Sequence, residues 1–268
     1  VLNGAYNGER VEVNGWVRTA ELIEPNILRA ELDSGAARIT VQIGNVHGLN
    51  PETLIASKFR VRGVASPVKA RGAIGQLVEV QVLASRQENL SIDSTDPSNP
   101  WNRPLISLRN AFQFRPGQTR SERLHIRGTV VAHHADVVYL NDGQSGLAVR
   151  GKGASLLTRG QAVEAVGFLD LEEFLPILAD AVFRPAKTPA AKVNPVALPV
   201  AELLRGLQHA NYVSVTGKLL DRMQAPLPAG AEAGTMLALA LQSPRGVFMA
   251  DRAADHRSDL HRRAGPFF

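Results

Sequence analysis

An all-β chain built from repeated small barrels is what three features of the sequence predict. A short strand pattern recurs three times, a glycine-containing hairpin follows each recurrence, and proline-rich stretches separate the copies. ERVEVNGWV (Glu9–Val17), ERLHIRGTV (Glu122–Val130) and NYVSVTGKL (Asn211–Leu219) each alternate apolar and polar residues around a glycine, Gly15, Gly128 or Gly217. Alternation marks a strand buried on one face, and a glycine inside it marks a bend or bulge.

The following pieces repeat as well. ELDSGAARITVQ (Glu31–Gln42) lies over YLNDGQSGLAVR (Tyr139–Arg150) without a gap, and both read as strand, polar turn, strand. MLALALQSPRGVFMA (Met236–Ala250) has the same form, with Pro244 and Gly246 at its turn. In the first copy Asn50 suits a helix N-cap, with Pro51 at the first helical position. In the second copy the corresponding helical piece is the shorter Gly153–Gly160. FRVRGV (Phe59–Val64) then matches VEAVGF (Val163–Phe168), and QLVEVQVLAS and PILADAVFR supply the last strands.

The order β-β-β-α-β-β with a long bent first strand is that of the five-stranded oligonucleotide/oligosaccharide-binding (OB) barrel. The sequence therefore predicts tandem OB-fold-like barrels, two complete and a third partial. The expected divisions are residues 1–95, residues 96–190 with a linker and short helix, and residues 191–268 with another linker and short helix. Too few residues follow Ala250 for two closing strands. The natural chain is thus expected to continue past Phe268, or the third copy to remain a half-barrel packed on the second. Ser91–Pro104 and Arg184–Pro199 read as linkers, with Trp101 as an anchor in the first. LISLRNAF and PVAELLRGL read as short helices leading into copies two and three.

Bulk composition sets limits. The 268 residues are 44% hydrophobic, as in globular proteins, and no apolar run reaches the ~18 residues of a membrane span. Without cysteine there are no disulfides, thiol nucleophiles or cysteine-held metals. Val1 is not an initiator methionine, so the natural start is expected upstream. The net charge of +5 is spread out: residues 1–100 carry 10 Lys and Arg against 11 Asp and Glu, and residues 101–200 carry 12 against 8. A nucleic-acid binder concentrates such charge in a patch.

The chemically suggestive clusters fit structural roles better than catalytic ones. His133 and His134 are adjacent, so on an extended chain they point to opposite sides and cannot share a metal with Asp136. A loop before the hairpin is the expectation there. DLEEFLP (Asp170–Pro176) places three carboxylates at the turn between the last two strands of copy two. RGKGAS (Arg150–Ser155) lacks phosphate-loop spacing, and no nucleophile elbow occurs. The expectation is a protein that is not an enzyme and uses neither cofactor nor metal.

Binding residues are expected on the barrel surface, because OB barrels bind through strands two and three and the loops beside them. With Val138, Leu140, Leu147 and Val149 inward, alternation sends Tyr139, Ala148 and Arg150 outward, as it does His125 and Arg127 on the first strand. Arg29, Glu31, Arg38, Thr40 and Gln42 form the matching set in copy one, with Trp16 nearby. A bulge at Gly15 or Gly128 would reverse the assignments beyond it. The residues expected to touch a ligand are Trp16, His125, Arg127, Tyr139, Arg150, Glu172 and Phe174. Any half-exposed sheet also presents such a mixture. Aromatics make up only 5% of the chain, which disfavours single-stranded nucleic acid, where stacking supplies much of the affinity.

With these phrases in hand, the chain resembles the extracytoplasmic regions of certain bacterial sensor histidine kinases. Those carry tandem OB-like barrels with R-V-x-V-x-G-x-V first strands, D-x-x-G hairpins, G-x-x-V-x-V-x-G fourth strands and P-x-L-x-x-A-x-F-R last strands. ERLHIRGTV, VYLNDGQSGLAVR, RGQAVEAVGF and PILADAVFR are the counterparts here, followed by VSVTGKLLDR in copy three. The likeness covers most of residues 9–250 and is strongest over 104–222. It implies a periplasmic or extracytoplasmic sensor module for an unidentified small molecule or protein partner. A membrane anchor and an output domain such as a kinase would lie outside the fragment. It carries over no ligand-binding residues. The alternative is a stand-alone OB-fold binder of single-stranded nucleic acid or oligosaccharide.

Overall fold

Alternating apolar residues become strands wherever one face can be buried, and the repeated phrases each do so. The computed structural model describes residues 6–35, 37–69, 77–95, 99–112, 122–134, 136–172, 175–189, 192–226, 235–244 and 246–252. Among them, barrel 1 comprises β1 (Arg10–Glu24), β2 (Ile27–Asp33), β3 (Arg38–Ile43), β4 (Lys58–Lys69) and β5 (Leu77–Ala84). β6 (Leu90–Ser94) is added to β4, so the stretch expected as linker begins as a sixth strand. Barrel 2 follows a two-residue bridge, β7 (Leu105–Ile106), and comprises β8 (Arg123–His134), β9 (Val137–Asn141), β10 (Gly146–Gly151), β11 (Ala162–Glu172) and β12 (Leu175–Pro185).

Both sheets close in the same order. β1 pairs with β2, β2 with β3, β3 in parallel with β5, β5 with β4, and β4 returns to β1; β8, β9, β10, β12 and β11 do the same. The protein is therefore all-β and OB-fold-like, with a third, partial module. That module has bridges β13 (Val196–Ala197) and β14 (Val213–Ser214) and the antiparallel sheet β15 (Lys218–Pro226), β16 (Thr235–Ser243) and β17 (Gly246–Arg252). The chain divides into two compact units: residues 1–104 with 114–125, and residues 105–113 with 126–268.

One long strand serves both sides of each barrel, and the sequence marks how. At Gly15 an added Cβ would lie 2.7 Å from the Asp33 carbonyl oxygen, so only glycine lets β1 cross β2 this closely. The bulge falls three residues later. Register slips between Val17 and Thr19 on β1, between Val130 and Ala132 on β8, and between Leu219 and Asp221 on β15. All three copies thus place it at Gly+3. A bulge admits two consecutive inward residues, and Val17–Arg18 and Val130–Val131 are buried pairs. Arg18 is accommodated with NH1 3.4 Å from Asp33 Oδ2.

The bulge is sealed by the segment entering strand four. Val17 N–H donates to the Ser57 carbonyl at 2.9 Å, and Ala56 N–H donates back to Val17 at 2.8 Å. In barrel 2, Val130 N–H donates to the Gln161 carbonyl at 2.9 Å, and Gly160 N–H returns to Val130 at 2.8 Å. The returning residue is left-handed both times, Ala56 at φ 68 and Gly160 at φ 86. Upstream of Ala56, α1 (Pro51–Leu54) is capped as expected: the Asn50 side chain accepts from Glu52 N–H at 3.1 Å. Leu28, Leu32, Val41, Phe59, Val61 and Val82 fill barrel 1. In a core of this kind a fully buried Leu or Phe contributes about 1.5–3 kcal/mol.

The β9–β10 turn ties both flanking segments to barrel 2. Asp142 Oδ1 accepts from Gln144 and Ser145 N–H at 3.0 and 2.9 Å, while Oδ2 accepts from Leu108 N–H at 3.1 Å. Leu108 begins a short 3-10 turn, Leu108–Phe112, and is fully buried. On the other side Gly146 N–H donates to Asn211 Oδ1 at 2.8 Å. A Cβ at Gly146 would collide with the Ala210 carbonyl, so this glycine belongs to the packing rather than to the turn. The second helical lead-in is α2 (Val200–Leu203), preceded by β13 as the 3-10 turn is by β7.

Two substitutions test the crossing with opposite signs. Gly15→Ala overpacks it and is expected to lower unfolding stability by about 1–3 kcal/mol in urea titrations. Ala56→Gly relieves a left-handed alanine and is expected to raise stability by a few tenths to about 1 kcal/mol.

Candidate ligand-binding face

Strands β9 and β10 present one row of outward residues, because their partners across the sheet share a face. Tyr139 lies opposite Ala148 and Ala132, and Val137 lies opposite Arg150 and His134. Val138, Leu140, Leu147 and Val149 point inward and are fully buried, as alternation predicts. Tyr139 is half-buried, flanked across the sheet by Ala148 and Ala132, and Arg150 sits one row away on the same face.

Arg150 gathers the loops at that end of the barrel. Its Nε is 3.1 Å from Asp136 Oδ2 and its NH2 2.7 Å from Glu172 Oε2. NH1 donates to the other Glu172 oxygen at 3.0 Å, making the pair bidentate. The hydrogen bond to Glu172, opposed by partial burial and helped by both carboxylate charges, raises the Arg150 pKa above its ordinary value. Arg150 is therefore a fixed cation at every working pH. The cluster joins the β8–β9 turn, β10 and the end of β11, and with two carboxylates to one guanidinium it carries one net negative charge.

A second ionic group lies elsewhere on barrel 2. Glu164 is only 2% exposed and accepts from Arg127 at 2.8 Å and Arg184 at 2.7 Å. Glu164 and Arg184 face one another across β11 and β12. A carboxylate this buried requires such partners, so Arg127 is engaged in holding the barrel together.

The remaining sequence-predicted residues fall in different surroundings. His125, expected to be open to solvent, is 3% exposed. Trp101 packs edge-on against its ring at 5.6 Å, and its Nδ1–H donates to the Arg103 carbonyl at 2.9 Å. The linker covers it, which also anchors Trp101 as predicted. Ala148, also expected outward, lies in the outward row but is 5% exposed. Trp16 stands between Asp33 and Lys58 in the sheet, with the Lys58 ammonium 6.0 Å from its ring. Phe174 lies outside the described residues. His133 and His134 end β8, paired with Val138 and Val137, rather than forming a loop. Spacing along the chain does not bring Asp136 to Arg150; that pairing forms only in the fold. Among the described residues no group of three or more His, Asp or Glu is placed to hold a metal, and no helix is long and apolar enough to cross a membrane.

No family model matches the chain, and no curated protein matches it. Solved structures similar to it include a replication protein A heterotrimer bound to ssDNA, at 10% identity and TM-score 0.27 over 92% of this chain and 78% of that one. A murine DNA binding protein bound with ds DNA is 11% identical at TM-score 0.26 over 68% and 99%. The single-stranded DNA binding protein from Thermus aquaticus is 14% identical at TM-score 0.22 over 70% and 98%. Superpositions this loose carry no argument about ligand, and the fold assignment rests on strand order and register.

The two ionic groups differ in what they support. Glu164→Gln is expected to cost about 1–3 kcal/mol of unfolding stability, since hydrogen bonds to a buried charge are lost. Arg62→Ala, which removes the exposed pair with Glu12, is expected to cost less than about 1 kcal/mol in the same denaturation assay.

Proposed function

We propose that the chain is a non-catalytic OB-fold binding protein, and that its ligand, an oligosaccharide, lies across the outer face of β9 and β10. The observation that carries this reading is the convergence of Tyr139, Asp136, Arg150 and Glu172, from four separate elements, at one side of a closed barrel. OB barrels take ligands on this surface and its flanking loops. Carboxylates accept hydrogen bonds from ligand hydroxyls, and the Tyr139 ring offers an apolar plate with a polar tip. A phosphodiester chain would meet the net negative rim.

The overall charge of +5 favours one second reading, single-stranded nucleic acid held on another surface. A sensory role in an extracytoplasmic module is supported by the kinase resemblance alone, and it would place this binding step upstream of an output domain.

The test is a titration with a panel of neutral oligosaccharides and a dT oligonucleotide, each at about 50 and about 200 mM salt. Oligosaccharide affinity is expected to be nearly independent of salt. Tyr139→Ala is expected to weaken it about tenfold or more, about 1.4 kcal/mol, with unchanged melting. Tight, salt-steep oligonucleotide binding unaffected by Tyr139→Ala would reject the site and favour the second reading.

A further inference from the structure

Barrel 1 carries a cleft of 460 Å³ on the outer side of β1, β4 and β5, within the range of about 300–1,000 Å³ that small-molecule sites occupy. Strand register sets its floor. Arg10 lies opposite Val64 and Val64 opposite Leu83, so the three side chains form one outward row. Val64 and Leu83 are 39% and 38% exposed, an apolar pair open to solvent. One step along the sheet Glu12 lies opposite Arg62, and Arg62 Nε is 2.6 Å from Glu12 Oε2. Glu12 and Arg10 share a face of β1, yet the carboxylate that could neutralise Arg10 is held by Arg62. Arg10 itself is exposed and has no ion-pair partner among the described residues.

One wall of the cleft is an insertion that barrel 2 lacks. Residues 62–63 of β4 lie opposite residues 84–89, whereas residues 166–167 of β11 lie opposite only 180–182. The added loop is fixed from the β3 side. Gly44 N–H donates to the Ala84 carbonyl at 2.8 Å, the Asn45 side chain to the Ser85 carbonyl at 3.1 Å, and His47 N–H to Gln87 Oε1 at 2.8 Å. It brings Ser85 and Asn89 to the cleft. At the equivalent positions of barrel 2, Arg123, His125, Val166 and Phe168 are 7%, 3%, 0% and 0% exposed, and Trp101 packs on His125. Barrel 1 has Glu12 in place of His125 and Arg62 in place of Val166. An ion pair at these two positions suits a wet cleft and would be costly beneath a segment packed as Trp101 is.

We propose that this cleft binds an aliphatic monocarboxylate, whose carboxylate pairs with Arg10 and whose hydrocarbon body lies over Val64 and Leu83. A guanidinium presents paired N–H donors that match a carboxylate. One unpaired cation beside a neutralised pair calls for a single negative charge, and the adjoining apolar row calls for a tail. A nucleic-acid strand would meet one unpaired cation here and no aromatic ring among the lining residues. The site belongs to barrel 1 and shares no residue with the β9–β10 face, so it stands or falls independently of the oligosaccharide reading.

The experiment titrates the full chain with sodium octanoate by calorimetry and follows amide shifts over residues 10–12, 62–64 and 83–89. The expected result is saturable binding with shifts centred on those residues. Affinity is expected to rise by up to about fourfold per methylene from butanoate to octanoate, with 1-octanol about tenfold weaker or more. Arg10→Gln is expected to weaken octanoate about tenfold or more. Glu12→Gln acts in the opposite sense: it removes the neighbouring negative charge and frees Arg62, tightening octanoate about threefold. If Arg10→Gln lowers the melting temperature, the gain from Glu12→Gln decides in its place, since loss of affinity through misfolding cannot mimic it. Absence of saturable octanoate binding overturns the proposal, as do shifts confined to other residues. Equal binding of octanoate and 1-octanol, unchanged by Arg10→Gln, overturns it too and marks an adventitious apolar contact only.

Discussion

The bulge three residues after each crossing glycine is the constraint on which both barrels depend. A barrel of five strands needs one strand to pair on both sides, and a regular strand cannot turn that corner while keeping its apolar residues inside. The extra residue bends the strand and points two neighbours inward. Just before it, the backbone of Val17 and of Val130 exchanges hydrogen bonds with the segment before strand four. Buried backbone groups demand such partners, so helix, strand four and the corner are specified together.

The third module shares the corner but not, among the described residues, the segment that pairs with it. It has the glycine, the bulge and the hairpin, but no strand-four segment among the described residues to seal Leu219. The corner residue Leu219 is exposed where Val17 and Val130 are not. The same logic reads the linkers: Asp142 uses one oxygen to shape its own turn and the other to hold Leu108, and Asn211 reaches back to Gly146. A single hairpin turn in barrel 2 thereby fixes the path of chain before and after it.

Several arginines among the described residues are held in ion pairs. Arg127 and Arg184 share Glu164, Arg150 holds Asp136 and Glu172, Arg60 meets Asp93, and Arg62 meets Glu12. On the β9–β10 face the Arg150 group holds two carboxylates against one guanidinium. Tyr139 adds a half-buried aromatic ring to the same face.

The sequence by itself determined the strands, their order and the threefold repeat, because these follow from local alternation and from glycine, proline and asparagine at turns and caps. It also brought out Arg150 and Tyr139, which parity sends outward, and Glu172, which lies at the expected turn between the last two strands of copy two. Tertiary structure decided the rest. His125 has the parity of a surface residue and is buried because Trp101, distant in sequence, packs on it. The bulge lies at Arg18 and Val131 rather than at Gly15 and Gly128, because its place is set by hydrogen bonds to Ala56–Ser57 and Gly160–Gln161. Asp136 joins Arg150 only once the turn between β8 and β9 folds, and β3 finds β5 only when the barrel closes. Alternation is a property of neighbouring residues, whereas pairing partners, covering and charge neutralisation depend on segments that the chain brings together only on folding.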